Sequence, residues 1–219
     1  MSAAFDDRPG RAKRMLHAAG PALGLLVAAS LLLAVPMPSG AAGPEEAFLT
    51  GQFLIASPSM GDPRFYHAVI LVVHHDKEGA LGIVINRPVE AEPMQHLLEE
   101  LGQQGAKASG TVEIFAGGPV QPNVGFVLHS AEYKSAGTIA IDDHVSMTSN
   151  PAVLRDIAGG HGPKKYLLAF GYAGWGPGQL EAELAQQAWF TAPDDPQLLF
   201  DGDRATLWRN ALDRRSRSL

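Results

Sequence analysis

Short runs of apolar and β-branched residues, separated by polar turns, predict the strands of this chain. Residues 67–75 and 80–86 are two such runs, and the DKEG segment between them has the composition of a hairpin turn. Further strands are predicted at residues 53–56, 111–116, 125–129, 137–141 and 165–170. The pattern is therefore that of a chain rich in short strands.

Apolar residues at helical spacing predict helices between these strands. Met94, Leu97, Leu98 and Leu101 would share one face of a helix over residues 92–101. Further helices are predicted from the Ser-Asn-Pro start at 149–151 to about residue 158, and over 179–187 and 204–212. Strands and helices follow each other without a regular βαβ rhythm. We therefore predict a single mixed α/β domain with largely antiparallel pairing, not a doubly wound nucleotide fold.

Composition and charge exclude several classes of function. The chain has no cysteine, which rules out disulfides, thiolate metal sites and a cysteine nucleophile. Its net charge is −6, and because residues 1–42 carry +2 and residues 204–219 carry +4, the body at 43–203 carries −12. An acidic body repels phosphate backbones, and the sequence has no helix-turn-helix or basic reading helix. Direct DNA binding is therefore not expected.

The N-terminal segment has the features of a secretory signal peptide. Residues 15–44 contain no charged side chain, and the apolar run at 23–35 follows basic residues and precedes two prolines and small residues. Two alternatives stay open: an uncleaved membrane anchor through residues 15–38, and a start codon at Met37 that removes the segment. The predicted division is a signal-like or anchor segment at 1–42, a lead-in at 43–52, a domain at 53–212 and a basic tail at 213–219.

A glycine-rich segment is the first candidate binding site. Residues 171–178, GYAGWGPG, follow a predicted strand and precede a predicted helix, an arrangement that presents backbone N–H groups to an anion. Neither G-x-G-x-x-G nor G-x-x-x-x-G-K-[ST] occurs, so the alternative is that these glycines serve close backbone packing. The candidate ligand-binding residues are Gly174, Trp175, Gly176 and Gly178, with Arg87, His129 and Ser130 as companions. Arg87 belongs to an Asn-Arg-Pro stop signal where the hairpin strand ends, and could contact an anion there.

Other polar clusters are better explained structurally. His74, His75 and Asp76 suggest metal ligation, but neighbouring strand residues point to opposite faces, and we predict no metal site and no cofactor. A hydrolase set could be assembled from Ser57, Ser59, Asp62, His129 and Ser130. No G-x-S-x-G elbow is present, however, and Ser57, Ser59 and Asp62 are typical of turns. The arginine-rich tail could touch phosphate or an acidic lipid surface, but a solvated terminus is the favoured interpretation.

Five segments in the same order resemble the YqgE/AlgH family. They are residues 53–63 (FLIASPSMGDP) with Phe65, 78–88 (EGALGIVINRP), 117–120 (GGPV), 125–130 (GFVLHS) and 171–181 (GYAGWGPGQLE). The resemblance covers residues 53–212 and implies a bacterial α/β domain whose bifurcated sheet curls into a pseudo-barrel with flanking helices. The family has no established reaction or cofactor, and its members are labelled as transcriptional regulators. Relatives look cytoplasmic, whereas this chain adds about 50 residues before the shared region.

Two functional hypotheses follow from these observations. The leading one is a non-enzymatic protein that acts through a protein partner or a small anionic ligand and affects gene expression indirectly. The alternative is an anion- or nucleotide-binding domain, or a hydrolase, that uses the loop at 174–178. The resemblance implies a cytoplasmic protein, with export or membrane anchoring through residues 15–42 as the alternative; contact with a membrane is expected only if residues 15–38 stay uncleaved.

Overall fold

The fold is built on one branched sheet whose central hairpin is the one that the apolar runs predict. The computed structural model of the chain describes residues 48–102 and 108–215. The signal-like segment at 1–42 therefore lies outside the described residues, and its cleavage or anchoring stays a prediction. None of the helices that the structure describes combines the length and the apolar composition of a membrane span.

Short strands and short helices alternate along the described chain. The strands are β1 (Gln52–Ala56), β2 (Val69–Asp76), β3 (Gly79–Val84), β4 (Pro88–Pro93), β5 (Thr111–Ala116), β6 (Val120–Ser130), β7 (Ile139–Ala140), β8 (Val145–Thr148), β9 (Tyr166–Trp175) and β10 (Trp189–Pro193). The helices are α1 (Met94–Glu100), α2 (Ala152–Ala158), α3 (Gln179–Ala185), α4 (Pro196–Asp201) and α5 (Leu207–Asp213). A 3₁₀ turn at Pro63–Phe65 joins β1 to β2.

Strand β9 is the point at which the sheet branches. The strands follow the order β10-β1-β2-β3-β9-β6-β8-β7, and β5, which carries β4 on its other side, also pairs with β9. The first half of β9 pairs with β5 and β6, whereas its last residues, Ala173 to Trp175, pair with β3. Apart from the parallel β5–β9 pair, these pairings are antiparallel. The prediction of a mixed α/β fold with a bifurcated, curled and largely antiparallel sheet is confirmed.

The two faces of the sheet build separate parts of the core. On β1, Phe53 and Ile55 point into one cluster and Leu54 and Ala56 into another, as strand geometry requires. The first cluster is enclosed by the curled sheet and closed by α4 and α5, and the second is covered by α3. A third cluster lies between the pair α1 and α2 and the strands β5, β6 and β9.

Several elements differ from the sequence predictions. Strands β4, β8 and β10 and helix α4 were not predicted. Strand β4 (PVEAEP) is largely exposed and charged, so it lacks the apolar signal of a strand. The predicted loop at 171–175 is wrong, because strand β9 continues through it as far as Trp175.

Close backbone packing explains why β9 is rich in glycine at this place. A Cβ atom on Gly171 would lie 2.4 Å from the carbonyl oxygen of Gly118, and one on Gly118 would lie 2.1 Å from the carbonyl carbon of Tyr172. Gly171 and Gly118 also have φ angles of +76° and +155°. At these two positions, glycine therefore allows two backbone segments to cross at close range.

The beginning of the basic tail is held against the domain. Helix α5 ends at Asp213, Arg214 forms an ion pair with Asp195, and the guanidinium carbon of Arg215 lies 5.3 Å from the ring centroid of Phe190. Both arginine side chains are exposed, in line with a solvated terminus, and each also has a partner on the domain. Residues 216–219 lie outside the described residues.

Candidate anion-binding site

Arg87 is fixed at the end of the central hairpin by main-chain carbonyl groups. Its guanidinium donates to the carbonyl oxygen of Tyr66 at 3.1 Å and to that of Arg64. Burial lowers the pKa of Arg87, while the negative charge of Asp62 acts in the opposite direction. An arginine keeps its charge under such conditions. Arg87 therefore presents a positive charge whose hydrogen bonds go to neutral groups.

Arg204 is held in the same way on the segment before α5. Its guanidinium donates to the carbonyl oxygens of Leu199 at 2.8 Å and Phe200 at 3.2 Å, and lies 5.0 Å from the ring centroid of Phe115. Burial lowers the pKa of Arg204, with smaller opposing effects from Glu113 and Asp201. Within residues 48–102 and 108–215, neither Arg204 nor Arg87 forms an ion pair with a carboxylate.

A stack of three rings forms a wall beside these arginines. The ring of His67 lies between those of Tyr66 and Trp208, with centroid distances of 3.9 and 3.8 Å. The side chain of Asn86 fixes this turn, because its amide donates to the carbonyl oxygen of His67 and its oxygen accepts from the N–H of Val69, both at 2.9 Å. His67 itself has a φ angle of +54°, which is rare for a residue with a side chain.

The arginines and the rings enclose a cavity of about 260 Å³, which we call the arginine cavity. It is lined by Tyr66, His67, Asn86, Arg87, Arg204, Ala205, Trp208 and Arg209. The lining contains no carboxylate, serine or threonine. Guanidinium groups are well suited to carboxylate and phosphate oxygens, which they bind through paired hydrogen bonds. The arrangement is therefore chemically suited to a small anion.

The glycine-rich segment has a different environment. Gly174 and Trp175 lie on β9, and Gly176 and Gly178 lie in the turn to α3. The N–H of Gly176 already donates to the side-chain oxygen of Gln179 at 3.1 Å. The indole of Trp175 donates to Glu183 at 2.9 Å, so a carboxylate stands next to the segment that was predicted to hold an anion.

His129 and Ser130 lie at a third place. His129 is fully buried on β6, its Nδ1 lies 3.0 Å from the carbonyl oxygen of Ser130, and its ring packs edge-on against Tyr133. The hydroxyl of Ser130 donates to Glu132 at 2.7 Å. His129 pairs with Tyr166 on β9, and the eight residues from there to Gly174 span about 26 Å of strand. The structure therefore does not bring the predicted companions of the glycine segment together.

The remaining polar residues lie in separate places, each with its own contacts in the described chain. His74 is exposed and its Nε2 lies 3.0 Å from Asp76, whereas His75 is buried and points to the other face of β2, as predicted. The Oγ atoms of Ser57 and Ser59 lie 3.1 Å apart.

Asp62, the acidic residue considered for a hydrolase set, lies at the start of the 3₁₀ turn. It accepts from the N–H of Arg64 at 2.9 Å and caps the 3₁₀ turn. This contact bears out its prediction as a turn former, and the hydrogen bond from the N–H of Met60 to the carbonyl oxygen of Ser57 at 3.0 Å closes the turn predicted at the two serines.

Comparison with known proteins identifies the family. A family model described as DUF179, AlgH-like, matches residues 53–218. The chain belongs to the AlgH-like family. It is 46% identical over 156 residues to a UPF0301 protein of Rhodospirillum rubrum, covering 71% of this chain and 81% of that protein. A UPF0301 protein of Sphingopyxis alaskensis is 42% identical over 164 residues, covering 75% and 87%.

Two solved structures share the fold of this AlgH-like chain. The solution structure of the AlgH protein from Pseudomonas aeruginosa has a TM-score of 0.67 and 40% identity, and the match covers 78% of this chain and 91% of that one. A crystal structure of protein DIP2367 from Corynebacterium diphtheriae has a TM-score of 0.62 at 21% identity, covering 78% and 88%, and supports the fold alone.

Sequence reasoning found one residue of the arginine cavity in this AlgH-like domain and missed the rest. Arg87 was selected because it follows a strand in an Asn-Arg-Pro stop signal. Arg204 and Arg209 appeared only as part of the C-terminal positive charge, and Trp208 only as an apolar position of a helix. Their local charge and spacing give no sign that α5 docks beside Arg87, since that contact depends on the tertiary fold.

Proposed function

We propose that this AlgH-like domain binds a small anionic ligand in the arginine cavity and acts through that binding rather than by catalysis. The observation that carries the proposal is the convergence of Arg87, Arg204 and Arg209 on one cavity without a carboxylate in its lining. Arg87 and Arg204 donate to carbonyl oxygens and form no ion pair among the described residues, so their guanidinium charges favour a carboxylate or phosphate in the cavity.

The lining favours binding over hydrolysis. Among the described residues, no serine, threonine or carboxylate lines the cavity, and the ring of His67 is stacked on both sides. Hydrolysis of an ester or phosphoester needs a nucleophile or a general base within hydrogen-bond reach of the reacting group. The alternative function, binding of an anion or nucleotide by the loop at 174–178, is supported less well, because Glu183 would repel an anion there.

The cavity joins parts of the chain that are distant in sequence. Tyr66 and Arg87 flank the strand pair β2 and β3, and Trp208 lies on α5. A ligand held between them would stabilise the docking of α5 against the sheet. A ligand that stabilises the docking of α5 could alter the contact of this domain with a protein partner. A non-enzymatic protein could affect gene expression indirectly in this way.

Thermal unfolding with added phosphate tests the binding. A ligand that binds only the native state raises the melting temperature with its concentration. We expect a rise with sodium phosphate and with adenosine monophosphate, but not with sodium chloride at equal ionic strength. Arg209→Gln should lose most of the rise, and Arg155→Gln, which removes the same charge at an exposed position of α2, should keep it. Equal losses in both variants, or no rise with either anion, would contradict the proposal.

Hydrolysis is tested on the same samples. We expect no release of p-nitrophenol from p-nitrophenyl phosphate by the purified chain. Enzyme-like turnover that falls in Arg209→Gln would replace the binding proposal with a hydrolytic one.

We also infer that the domain works in the cytoplasm, on the ground of the family resemblance. The test is the intact mass and the cell fraction of the protein in its own bacterium. A soluble cytoplasmic form that begins at Met37 or another downstream start would support the inference. A mature form that begins near Ala42 or Gly43 outside the cytoplasm would establish export instead.

A further inference from the structure

A second cavity, of about 310 Å³, lies at the end of β9. Aromatic residues line it, including Phe65, Trp175 and Trp189. The ring of Trp189 packs edge-on against that of Trp175 at 6.0 Å and against that of Phe65 at 5.5 Å. We call this space the tryptophan cavity. Its walls differ from those of the arginine cavity, because a carboxylate lies against its tryptophan rings.

Glu183 supplies that carboxylate. Its Oε2 atom accepts hydrogen bonds from the indole N–H groups of Trp175 at 2.9 Å and Trp189 at 2.8 Å. Its Oε1 atom accepts from the amide of Gln179 at 2.9 Å. These three donors are neutral, so they fix the position of the carboxylate and leave its charge in place.

The cationic side chain at the cavity already has a partner. Arg64 lines the cavity, but its Nε and Nη2 atoms donate to the carboxylate of Asp62 at 3.1 and 2.7 Å. Across the described residues, no lysine, arginine or histidine forms an ion pair with Glu183. The charge of Glu183 is therefore oriented, partly buried and uncompensated.

We propose that the tryptophan cavity binds an alkylammonium group through Glu183 and its aromatic walls. A cation is attracted to the negative faces of tryptophan rings, and the attraction increases where water is partly excluded. The face of Phe65 already has a cation, because the guanidinium carbon of Arg64 lies 5.9 Å from its ring centroid. The carboxylate adds a charge-assisted hydrogen bond from the ammonium group. The proposed ligand is therefore a cation, whereas the glycine pattern predicts an anion. That pattern does not reveal that Glu183 faces Trp175. A free amine and a lysine side chain share this chemistry.

The three tryptophans allow a direct test by nuclear magnetic resonance. The full chain contains three tryptophans, which give three indole ¹H–¹⁵N signals. The indoles of Trp175 and Trp189 donate to Glu183, whereas that of Trp208 donates to the carbonyl oxygen of Ala56. We expect n-butylammonium chloride to shift the first two signals in a saturable way and to leave the third in place. Sodium chloride at equal ionic strength and n-butanol, the neutral analogue, should shift none of them.

Two matched variants separate binding from structure. Glu183→Gln keeps an oxygen acceptor for the indoles and removes the charge, and should weaken the affinity for n-butylammonium at least about tenfold. Glu181→Gln removes the same charge from the same helix at a residue that contacts His75 instead, and should retain the affinity within about twofold. Equal affinities in these two variants, or no saturable shift in the unmodified chain, would overturn the proposal. So would equal shifts with n-butanol.

A peptide distinguishes the two sources of the ammonium group. Acetyl-Gly-Lys-Gly-amide presents the same group on a lysine side chain. Tighter binding of the peptide than of n-butylammonium would assign the cavity to a partner protein, and equal or weaker binding would assign it to a free amine.

Discussion

The indole N–H of Trp208 donates to the main-chain carbonyl oxygen of Ala56 at 2.8 Å, although the two residues are 152 positions apart. The bond joins α5 to the end of β1. It also sets the ring of Trp208 against His67, where it forms one wall of the arginine cavity. The cavity therefore exists only when the last helix is docked against the first strand.

Replacement of Trp208 should show this dependence. Trp208→Phe keeps a ring for the stack but leaves the carbonyl oxygen of Ala56 without its donor, and should lower the free energy of unfolding by about 1–2 kcal/mol. The effect of phosphate on the melting temperature should fall as well. Tyr66→Phe is the matched control, since Tyr66 is 55% exposed and its ring remains in the stack. Urea unfolding measures the stability of both variants. Equal losses of unfolding free energy would show that the hydrogen bond to Ala56 contributes no more to stability than the hydroxyl of Tyr66.

His75 connects the central hairpin to α3 and to the start of the described chain. Its Nδ1 accepts the N–H of Leu49 at 3.0 Å, so its Nε2 carries the proton that it donates to Glu181 at 2.7 Å. We expect His75→Ala to cost about 2 kcal/mol in urea unfolding, because two groups lose a partner and a buried ring is removed. His74→Ala, one residue earlier and exposed, should cost less than about 0.5 kcal/mol. A similar cost at both positions would contradict the structure.

Asp194 makes the stability depend on pH. Burial and then the charge of Asp142 raise the pKa of Asp194 to about 6 from its ordinary value of 3.8, while His144 acts in the opposite direction. The folded state thus holds the proton more tightly than the unfolded state. The resulting stability is fully present below about pH 3.8 and is lost as the pH rises through about 6.

Neutralising this carboxyl should therefore stabilise the protein at pH 7.5. For Asp194→Asn we expect a gain of about 1 kcal/mol at that pH, a value reduced because the side chain is partly exposed, and a smaller gain at pH 4.5. Urea unfolding at the two pH values measures it. Asp143→Asn, at an exposed neighbour of Asp142, serves as the control. A gain that does not depend on pH would refute the coupling between the two carboxyl groups.

The apolar pattern predicts the buried central strands β2 and β3 and fails for the exposed edge strand β4. Strands β2 and β3 were predicted because both of their faces are covered, which makes the runs continuously apolar. The edge strand β4 is exposed, and its alternating glutamates carry no such signal. Strand β9 was predicted only in its first half, because the glycines that allow its second half to pack closely also resemble a loop.

The candidate sites show the same limit. Arg87 was selected from a local stop signal, and its role as an anion contact stays a prediction. Its neighbours in the structure, Arg204 and Trp208, come from α5 and the segment before it, more than a hundred residues later. Likewise, nothing in the glycine pattern indicates that Glu183 accepts from two indoles. Local sequence identifies residues that can carry a site, whereas the docking of distant elements decides which of them meet.

The crossing of β9 by residues 117–118 provides the most direct test of the fold. A Cβ atom on Gly118 would lie within 2.4 Å of three backbone atoms of Tyr172 and Ala173, and backbone cannot move aside as a flexible side chain can. Its φ angle of +155° adds strain for any residue other than glycine. Gly118→Ala should therefore lower the free energy of unfolding by at least about 3 kcal/mol, or prevent folding. Gly61→Ala is the matched control, because its Cβ would meet nothing within 4 Å, and it should change the stability by less than about 1 kcal/mol. Urea unfolding compares the two variants, and the soluble yield replaces it if Gly118→Ala does not fold. A loss of stability at Gly118 as small as that at Gly61 would mean that β9 and this segment do not cross as closely as the structure shows.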